Sequence, residues 1–566
     1  MKFVNKVIIV LFFLGSISAC DMWDMDLQDN PNAINADGAS LADLYNSVQL
    51  GFNYQLSDDY LPGALARMYM VVAYTYQNAS TATTMNGIWN NAYSELYPDI
   101  DALITLAEKN NFYVHIATAK IMKAYSLMHL VDLMGDVPYT EAGQGTVVIS
   151  PASDAGADVY AAAEVMLDEA INMLDTTTAG SPNLDLYYGG SKTKWATLAK
   201  TLKLRAALNK GDKAAFDAIV SAGDIIDEAG EDFQFQYGTN RVNPNSRHWM
   251  YNNAYETGDA SYQNNYYMWL LAGEKVDVAG DEFRDPRLRY YFYRQKNNST
   301  SQDATTYGCH WSQEPDQSKR PTFWDAYNTR VPYCYAAEDG YIGRDHMNGE
   351  GTPPDGPIKT SWGLYPGGGD FDYDGFTDTR KAGTTGGLGA GIQPYLLSSF
   401  VKLMQAEAVL SMGAAGDAKA LLLEGIQLSL TKVKSFESLV GSTMSKTLTL
   451  KNGDVVKVSA FYAMNSADQA DYIAKVGAIY DAASASGKKD VVAKEFLIAA
   501  YGNGLEAYNM YRRTGAPSDI GPALDAAGSF PTIFLYPLDH ISRNGNVTQQ
   551  TLTDRVFWNT SGPALY

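Results

Sequence analysis

What most restricts the fold of this chain is a set of alanine-rich amphipathic stretches that come in pairs parted by tight glycine turns. Tyr113 to Met134 reads as one uninterrupted helix, closed by Gly135-Asp136-Val137-Pro138. A glycine there can take the left-handed conformation that caps a helix, and a proline shortly beyond cannot continue one. Residues 158–174 place Ala163, Leu167, Ala170, Ile171 and Leu174 along one face, with a period of about 3.6 residues. The stretches 194–208 and 213–226 are separated by Gly211-Asp212, and 397–412 and 415–433 by Gly413. A lone helix pair cannot bury its apolar stripe, so such pairs must stack on one another in the tetratricopeptide manner. The repeats diverge too far for their number to be read.

Between 235 and 395 the texture changes to Gly, Pro, Asn, Asp and aromatic residues, and helical periodicity fails. A long irregular stretch inside a compact protein is usually functional. Further on, Thr447-Leu448-Thr449-Leu450 and Val455-Val456-Lys457-Val458 flank Asn452-Gly453, a hairpin signal. Residues 491–511 return to a helical pattern. The expected fold class is mainly α, with tetratricopeptide-like helix pairs packed against a loop-rich half and a small β-hairpin. A single domain is expected over 39–566. Its helical repeats fall mainly at 39–229 and 396–435, its loop-rich ligand half at about 235–395, and its C-terminal segment at 490–566.

Residues 1–19 read as a signal peptide: Lys2 and Lys6 precede an apolar run from Val7 to Leu14 that is too short for the roughly 20 residues of a spanning helix. Ile17-Ser18-Ala19-Cys20 resembles the bacterial lipobox. Cys20 is therefore expected to carry acyl chains, two or more of which give stable membrane anchoring. Residues 20–38 would form a lipidated acidic tether, opening with Asp21, Asp24 and Asp26. Early acidic residues of this kind resemble the surface-export signal of such lipoproteins. On that resemblance the protein is expected at the outer membrane, facing the cell exterior, although a short acidic run could equally be a solvated linker.

The chain of 566 residues carries a formal net charge of −21 and has no basic run. Nucleic acid is excluded as a partner, because phosphate contacts need clustered Lys and Arg. With Cys20 assigned to lipid, Cys309 and Cys334 remain. In an oxidising compartment they form a candidate disulfide, which would contribute about 3 kcal/mol if unstrained. A zinc site using His310 and His346 is the rival, with poor ligand spacing.

Several segments in order along the chain resemble the SusD-like proteins of the SusD/RagB superfamily. Ala117 to Tyr125, running on to Gly135-Asp136-Val137-Pro138-Tyr139, is similar to the family's long helix. Lys194-Trp195, Leu204-Arg205, Asp285-Pro286-Arg287-Leu288 and Met404 to Ala408 also match. So do Gly504-Leu505-Glu506-Ala507, Arg512 to Pro517 and Tyr536-Pro537. Gly343-Arg344-Asp345-His346 and Pro353-Pro354-Asp355-Gly356 point to the second SusD-like branch. The resemblance implies a nutrient-binding outer-membrane lipoprotein that captures oligosaccharides or peptides. It also implies delivery to a partner TonB-dependent transporter of the SusC type, without cleavage of the ligand.

Sugars offer apolar C–H faces and hydroxyl rims, so their sites pair aromatic platforms with polar side chains. On that ground the ligand-binding candidates are Tyr76, Trp89, Trp249, Tyr251, Tyr262, Trp311, Trp324 and Trp362. The same rings could bind a peptide, and many of them could equally anchor loops to the helical half. Trp195 and Tyr125, inside helical motifs, are expected in the core. Asp370, Asp372 and Asp374, followed by Gly375, copy the first half of a calcium loop, but Lys381 stands where a bidentate Glu belongs. An ordinary acidic turn is the expectation there, with a simpler calcium-stiffened turn as the alternative; no other cofactor is expected.

No enzyme is expected. The chain lacks H-E-x-x-H, G-x-S-x-G and a complete phosphate loop. A surface glycoside hydrolase stays open as an alternative, because 64 acidic residues supply carboxylate pairs everywhere and nothing selects one.

Overall fold

The computed structural model describes residues 40–256, 262–296, 320–322, 324, 331–333, 340–341, 343–349, 359–560, 562–563 and 565. Cys20, Cys309, Cys334 and Trp311 lie outside these residues, as do His310, the signal peptide and tether, and the 353–356 segment.

The first helix, α1 (Leu41–Ser57), starts where the Ser40 hydroxyl accepts the Asp43 N–H at 3.1 Å. That side-chain cap satisfies one of the donors a helix start leaves open. Leu44, Tyr45, Val48, Phe52 and Leu56 face the core, while Leu50 and Tyr54 stand on the opposite side, about half exposed. After α2 (Tyr60–Leu65) come α3 (Tyr97–Lys109), α4 (Tyr113–Met134), α5 (Gly156–Thr176), α6 (Lys192–Lys210) and α7 (Lys213–Ala222). Each of α3 to α6 packs on the next, giving the stacked pairs expected from the sequence. Helix α4 is buried almost all round, which explains why it is apolar well beyond a single stripe.

A second helical group holds α8 (Ser398–Met412), α9 (Ala418–Ser435), α10 (Ser466–Ala482), α11 (Ala485–Ala499) and α12 (Gly504–Thr514). Helix α8 packs against α9 and α11, and α12 against the short α2. The two groups are joined by a buried polar network. Asp132 of α4 accepts from Arg205 of α6 at 2.6 Å, from Asn509 of α12 at 3.0 Å and from the Trp558 indole at 3.0 Å. Arg205 also pairs with Glu506 of α12, so the Leu204-Arg205 and Gly504 to Ala507 motifs meet as one structural ion pair. Asp285 and Arg287 form a second such pair at 2.6 Å, with Glu495 of α11 at 2.8 Å from Arg287.

Among the described residues strands occur only in two-stranded pieces: β1 (Phe233–Gln236), β2 (Gln263–Asn264), β3 (Phe292–Tyr293), β4 (Gly343–Arg344), β5 (Ser361–Trp362), β6 (Ile392–Leu396), β7 (Thr447–Thr449) and β8 (Val455–Lys457). The antiparallel β1–β6 pair closes the loop-rich half at its two ends, and β3–β5 ties its middle together. The expected hairpin is β7–β8, with Thr447 opposite Lys457.

Three local expectations need correction. The 213–226 stretch stops at Ala222, because Gly223 takes a φ of +69° and turns the chain. The 491–511 stretch is two helices, broken at Gly502 with a φ of +102°. Inside the loop-rich half, Asn265–Ala272 is a helix whose every residue is buried. With no solvent side it shows no periodicity to read. Trp195 and Tyr125 are core residues, as expected.

Candidate functional site

One open groove, about 760 Å³ in volume, runs between α1 and the loop-rich half. Its α1 wall is built from Leu50, Asn53, Tyr54 and Ser57, the i, i+3, i+4, i+7 stripe opposite the core face, and continues into Asp58 and Tyr60. The far wall comes from Tyr237, just beyond β1, and from Trp249, Asn253 and Trp362. Tyr54, Tyr60, Tyr237 and Trp249 therefore face one cleft rimmed by Asn53, Ser57, Asp58 and Asn253, with the nearly enclosed Trp362 forming part of its wall.

The rings are held at set angles. Trp249 stands at 75° to Trp362, with centroids 5.3 Å apart, and at 77° to Tyr60 at 6.0 Å. Tyr60 is backed by Tyr69 in a parallel stack at 5.0 Å, and its hydroxyl donates to the Met70 carbonyl at 2.7 Å. Behind Trp249 lies His248, fully buried, whose Nδ1 accepts the Met250 N–H at 3.1 Å and so caps the turn Trp249–Tyr251. Burial holds the His248 imidazole neutral, its pKa lowered to about 3. Gly367 packs against this turn, where a Cβ would come within 3.0 Å of the Met250 Cβ. Asn53 is oriented by the Tyr395 hydroxyl, which donates to its Oδ1 at 2.6 Å, and its side chain also hydrogen-bonds the Tyr237 hydroxyl.

The two carboxylates at the α1–α2 junction differ. Asp59 is buried and accepts the Gly504 N–H, and burial pushes its carboxyl well above the usual range. Asp58 sits on the exposed rim, yet crowding by the surrounding protein also raises its carboxyl.

Of the candidates read from the sequence, the structure brings Trp249 and Trp362 together. It adds Tyr54, Tyr60 and Tyr237, which the sequence reading did not select. The signal for Tyr54 was present: Leu50 and Tyr54 are large apolar residues on what should be the solvent face of an amphipathic helix. The remaining described candidates do not line this groove and are engaged elsewhere. Tyr76 is buried with its hydroxyl 3.2 Å from His346 Nε2, and Trp89 is buried between Tyr93 and His540. Tyr251 stacks on Tyr255 at 4.8 Å and donates to the Thr385 carbonyl at 2.7 Å. Trp324 is buried and donates to the Val331 carbonyl at 3.3 Å. The Tyr262 ring is taken up by Arg344 and Lys359, each 4.1 Å from its centroid. In each case the ring packs against other side chains of the protein.

The acidic turn is also different from a calcium loop. Asp372 pairs with Arg294 at 2.7 Å, Asp374 with Arg289 at 2.7 Å and with Arg294, and Asp370 accepts from Thr385 at 3.0 Å. Two guanidinium groups thus stand where a dication would have to bind. Among the described residues no group of three His, Cys, Asp or Glu side chains is arranged to hold a metal ion.

Comparison with known proteins agrees with this architecture. The chain belongs to the SusD-like family: the profile of its second branch, described as starch-binding and associating with the outer membrane, matches residues 34–331. Among solved structures, a SusD/RagB family protein from Bacteroides thetaiotaomicron superposes with a TM-score of 0.63 at 15% identity, covering 93% of this chain and 100% of that one. A chitin-binding SusD homolog from Flavobacterium johnsoniae superposes with a TM-score of 0.56 at 16% identity, covering 92% and 99%. A further chitin-binding protein gives 0.60 at 17% identity, covering 92% and 100%. No curated protein matches the chain. Among the described residues no helix is long and apolar enough to cross a membrane.

Proposed function

We propose that this protein is a cell-surface lipoprotein that captures oligosaccharides in the α1 groove and hands them to a TonB-dependent transporter of the SusC type. The groove carries the reading: Tyr54, Tyr60, Tyr237, Trp249 and Trp362 converge on one open cleft with polar side chains along its rim. Broad apolar faces edged by hydrogen-bonding groups suit pyranose rings. The chitin-binding relatives share the fold and support a carbohydrate ligand. Binding without turnover is favoured because Asp58 is the groove's one carboxylate among the described residues, whereas glycoside hydrolysis normally needs a pair.

The test is a binding screen of the purified protein against neutral oligosaccharides and peptides, repeated with Trp249→Ala. Oligosaccharide binding that falls at least about tenfold in the variant supports the reading. Peptide binding with the same dependence would move the role to peptides, and turnover of a bound glycan would make the protein a hydrolase. Anchoring is tested separately. Cys20→Ala should leave ligand affinity intact, release the protein from the membrane fraction and impair uptake. Retention of the variant in that fraction would refute lipid anchoring through Cys20.

A further inference from the structure

Asp58 is the only charged side chain that lines the groove among the described residues; no Lys, Arg or His shares its rim. The other polar groups of the rim, Asn53, Ser57 and Asn253, are neutral. Asp58 itself has no ion pair or hydrogen bond to another described side chain, and crowding by the surrounding protein raises its carboxyl although it stands on the exposed rim. Its neighbour Asp59 is turned inward onto the Gly504 N–H and cannot serve a ligand.

Helix electrostatics do not account for Asp58. It caps the C-terminus of α1, where a negative charge is unfavourable and where no basic residue stands in the last turn. It also precedes α2, where a negative charge is favourable, so the two end effects oppose each other. What is left is a carboxylate without a structural partner, crowded by the groove wall and open to whatever occupies the cleft. The net charge of −21 on the whole chain adds a long-range field of the same sign.

We propose that Asp58 sets the charge selectivity of the groove. It accepts hydrogen bonds from sugar hydroxyl and amide groups, gains most from the ammonium of a de-acetylated amino sugar, and turns away glycans bearing uronate or sulfate groups. This deepens the carbohydrate reading and rests on it.

The experiment is calorimetric titration of the purified protein with three hexamers of matched length: β-1,4-glucosamine, its N-acetylated form and α-1,4-galacturonate. Each is measured with the wild type, Asp58→Asn and Trp249→Ala. The glucosamine hexamer should bind about fivefold more tightly than the N-acetylated one, the upper range for a partly exposed ion pair. The galacturonate hexamer should bind at least about tenfold more weakly than the N-acetylated one, since like charges brought together at an interface repel strongly. Asp58→Asn should bring the first ratio to within about twofold and strengthen galacturonate binding, with thermal stability unchanged because the side chain is on the surface. Galacturonate binding equal to that of the N-acetylated hexamer, or ratios unmoved in Asp58→Asn, overturns the proposal while binding that still depends on Trp249 leaves the carbohydrate reading standing. If no hexamer binds and Trp249→Ala changes nothing, the carbohydrate reading fails and the selectivity falls with it.

Discussion

Trp249 and Trp362 meet edge to face, centroids 5.3 Å apart at 75°, although they arrive from separate segments of the loop-rich half. Each is placed by a different device. Trp249 opens a helical turn capped by His248, and Trp362 ends a two-residue strand paired opposite Phe292. Trp249 is half-buried, whereas Trp362 is almost wholly enclosed and shows the groove little more than an edge. The wall therefore combines a contact surface with a structural support, and the two should respond differently to truncation.

Tyr54→Ala removes an exposed ring and should leave stability within about 0.5 kcal/mol while weakening oligosaccharide binding about fivefold. Trp362→Ala removes a ring that is 2% exposed and should cost about 3–5 kcal/mol of stability. Chemical denaturation beside titration separates the two; equal stability loss would place Tyr54 in the core.

His129 and His248 are buried, and burial lowers the pKa of each to about 3. In the unfolded chain an imidazole titrates near about 6.5, so below that pH the unfolded state binds protons that the folded state refuses. The stability linked to the neutral rings is fully present above the unfolded value and is lost as pH falls toward the folded one, at about 1.4 kcal/mol per pH unit for each ring. Between pH 6 and 4, His129→Leu should flatten the slope by about that amount. Denaturation midpoints across this window check it, and an unchanged slope would mean His129 finds a proton partner.

The acidic turn should depend on arginine. Arg294 is 2% exposed and Asp372 fully buried, so Arg294→Ala leaves the carboxylate only Arg289, 3.6 Å away, as an ion-pair partner and should cost about 3 kcal/mol. Neither millimolar calcium nor a chelator should move the melting temperature of the wild type. A rise with calcium would restore the metal-stiffened loop.

Gly504 opens α12 against α2, and a Cβ there would lie 2.6 Å from the Gly63 nitrogen and collide with the Asp59 carbonyl. Gly504→Ala should push α2 outward, costing about 2 kcal/mol or more, and shift Tyr60 in the groove. Lower stability together with weaker oligosaccharide binding is the expected pair of results. A loss of stability with affinity unchanged would show that Tyr60 does not depend on this contact.

Much of the helical half was legible because helix-length apolar runs end at glycine turns and, in partly exposed helices such as α5, write their burial into a period. Tyr113–Met134 has the bounds its pattern implied, and α5, α6 and α8 depart from theirs by two residues or fewer at either end. Gly135, Gly211 and Gly413, each at positive φ, end their helices where the sequence suggested. The rule fails where burial is complete, as in Asn265–Ala272, since an element with no solvent side has no periodic contrast.

By itself, the sequence determined the helix pairs, the loop-rich insertion, the hairpin and, through Arg205, Glu506, Asp285 and Arg287, the motifs that turned out to be buried ion pairs. It also supplied the chemistry of the site, an excess of aromatic rings. Which rings face solvent was decided only in three dimensions. Trp249 and Trp362 make the groove, while Tyr76, Trp89, Tyr251 and Trp324 are spent on packing. A tryptophan buries apolar area equally well against protein or against a sugar, so its identity carries no direction. Direction comes from the strand pairing, the helix caps and the contacts between distant segments that set each ring's plane.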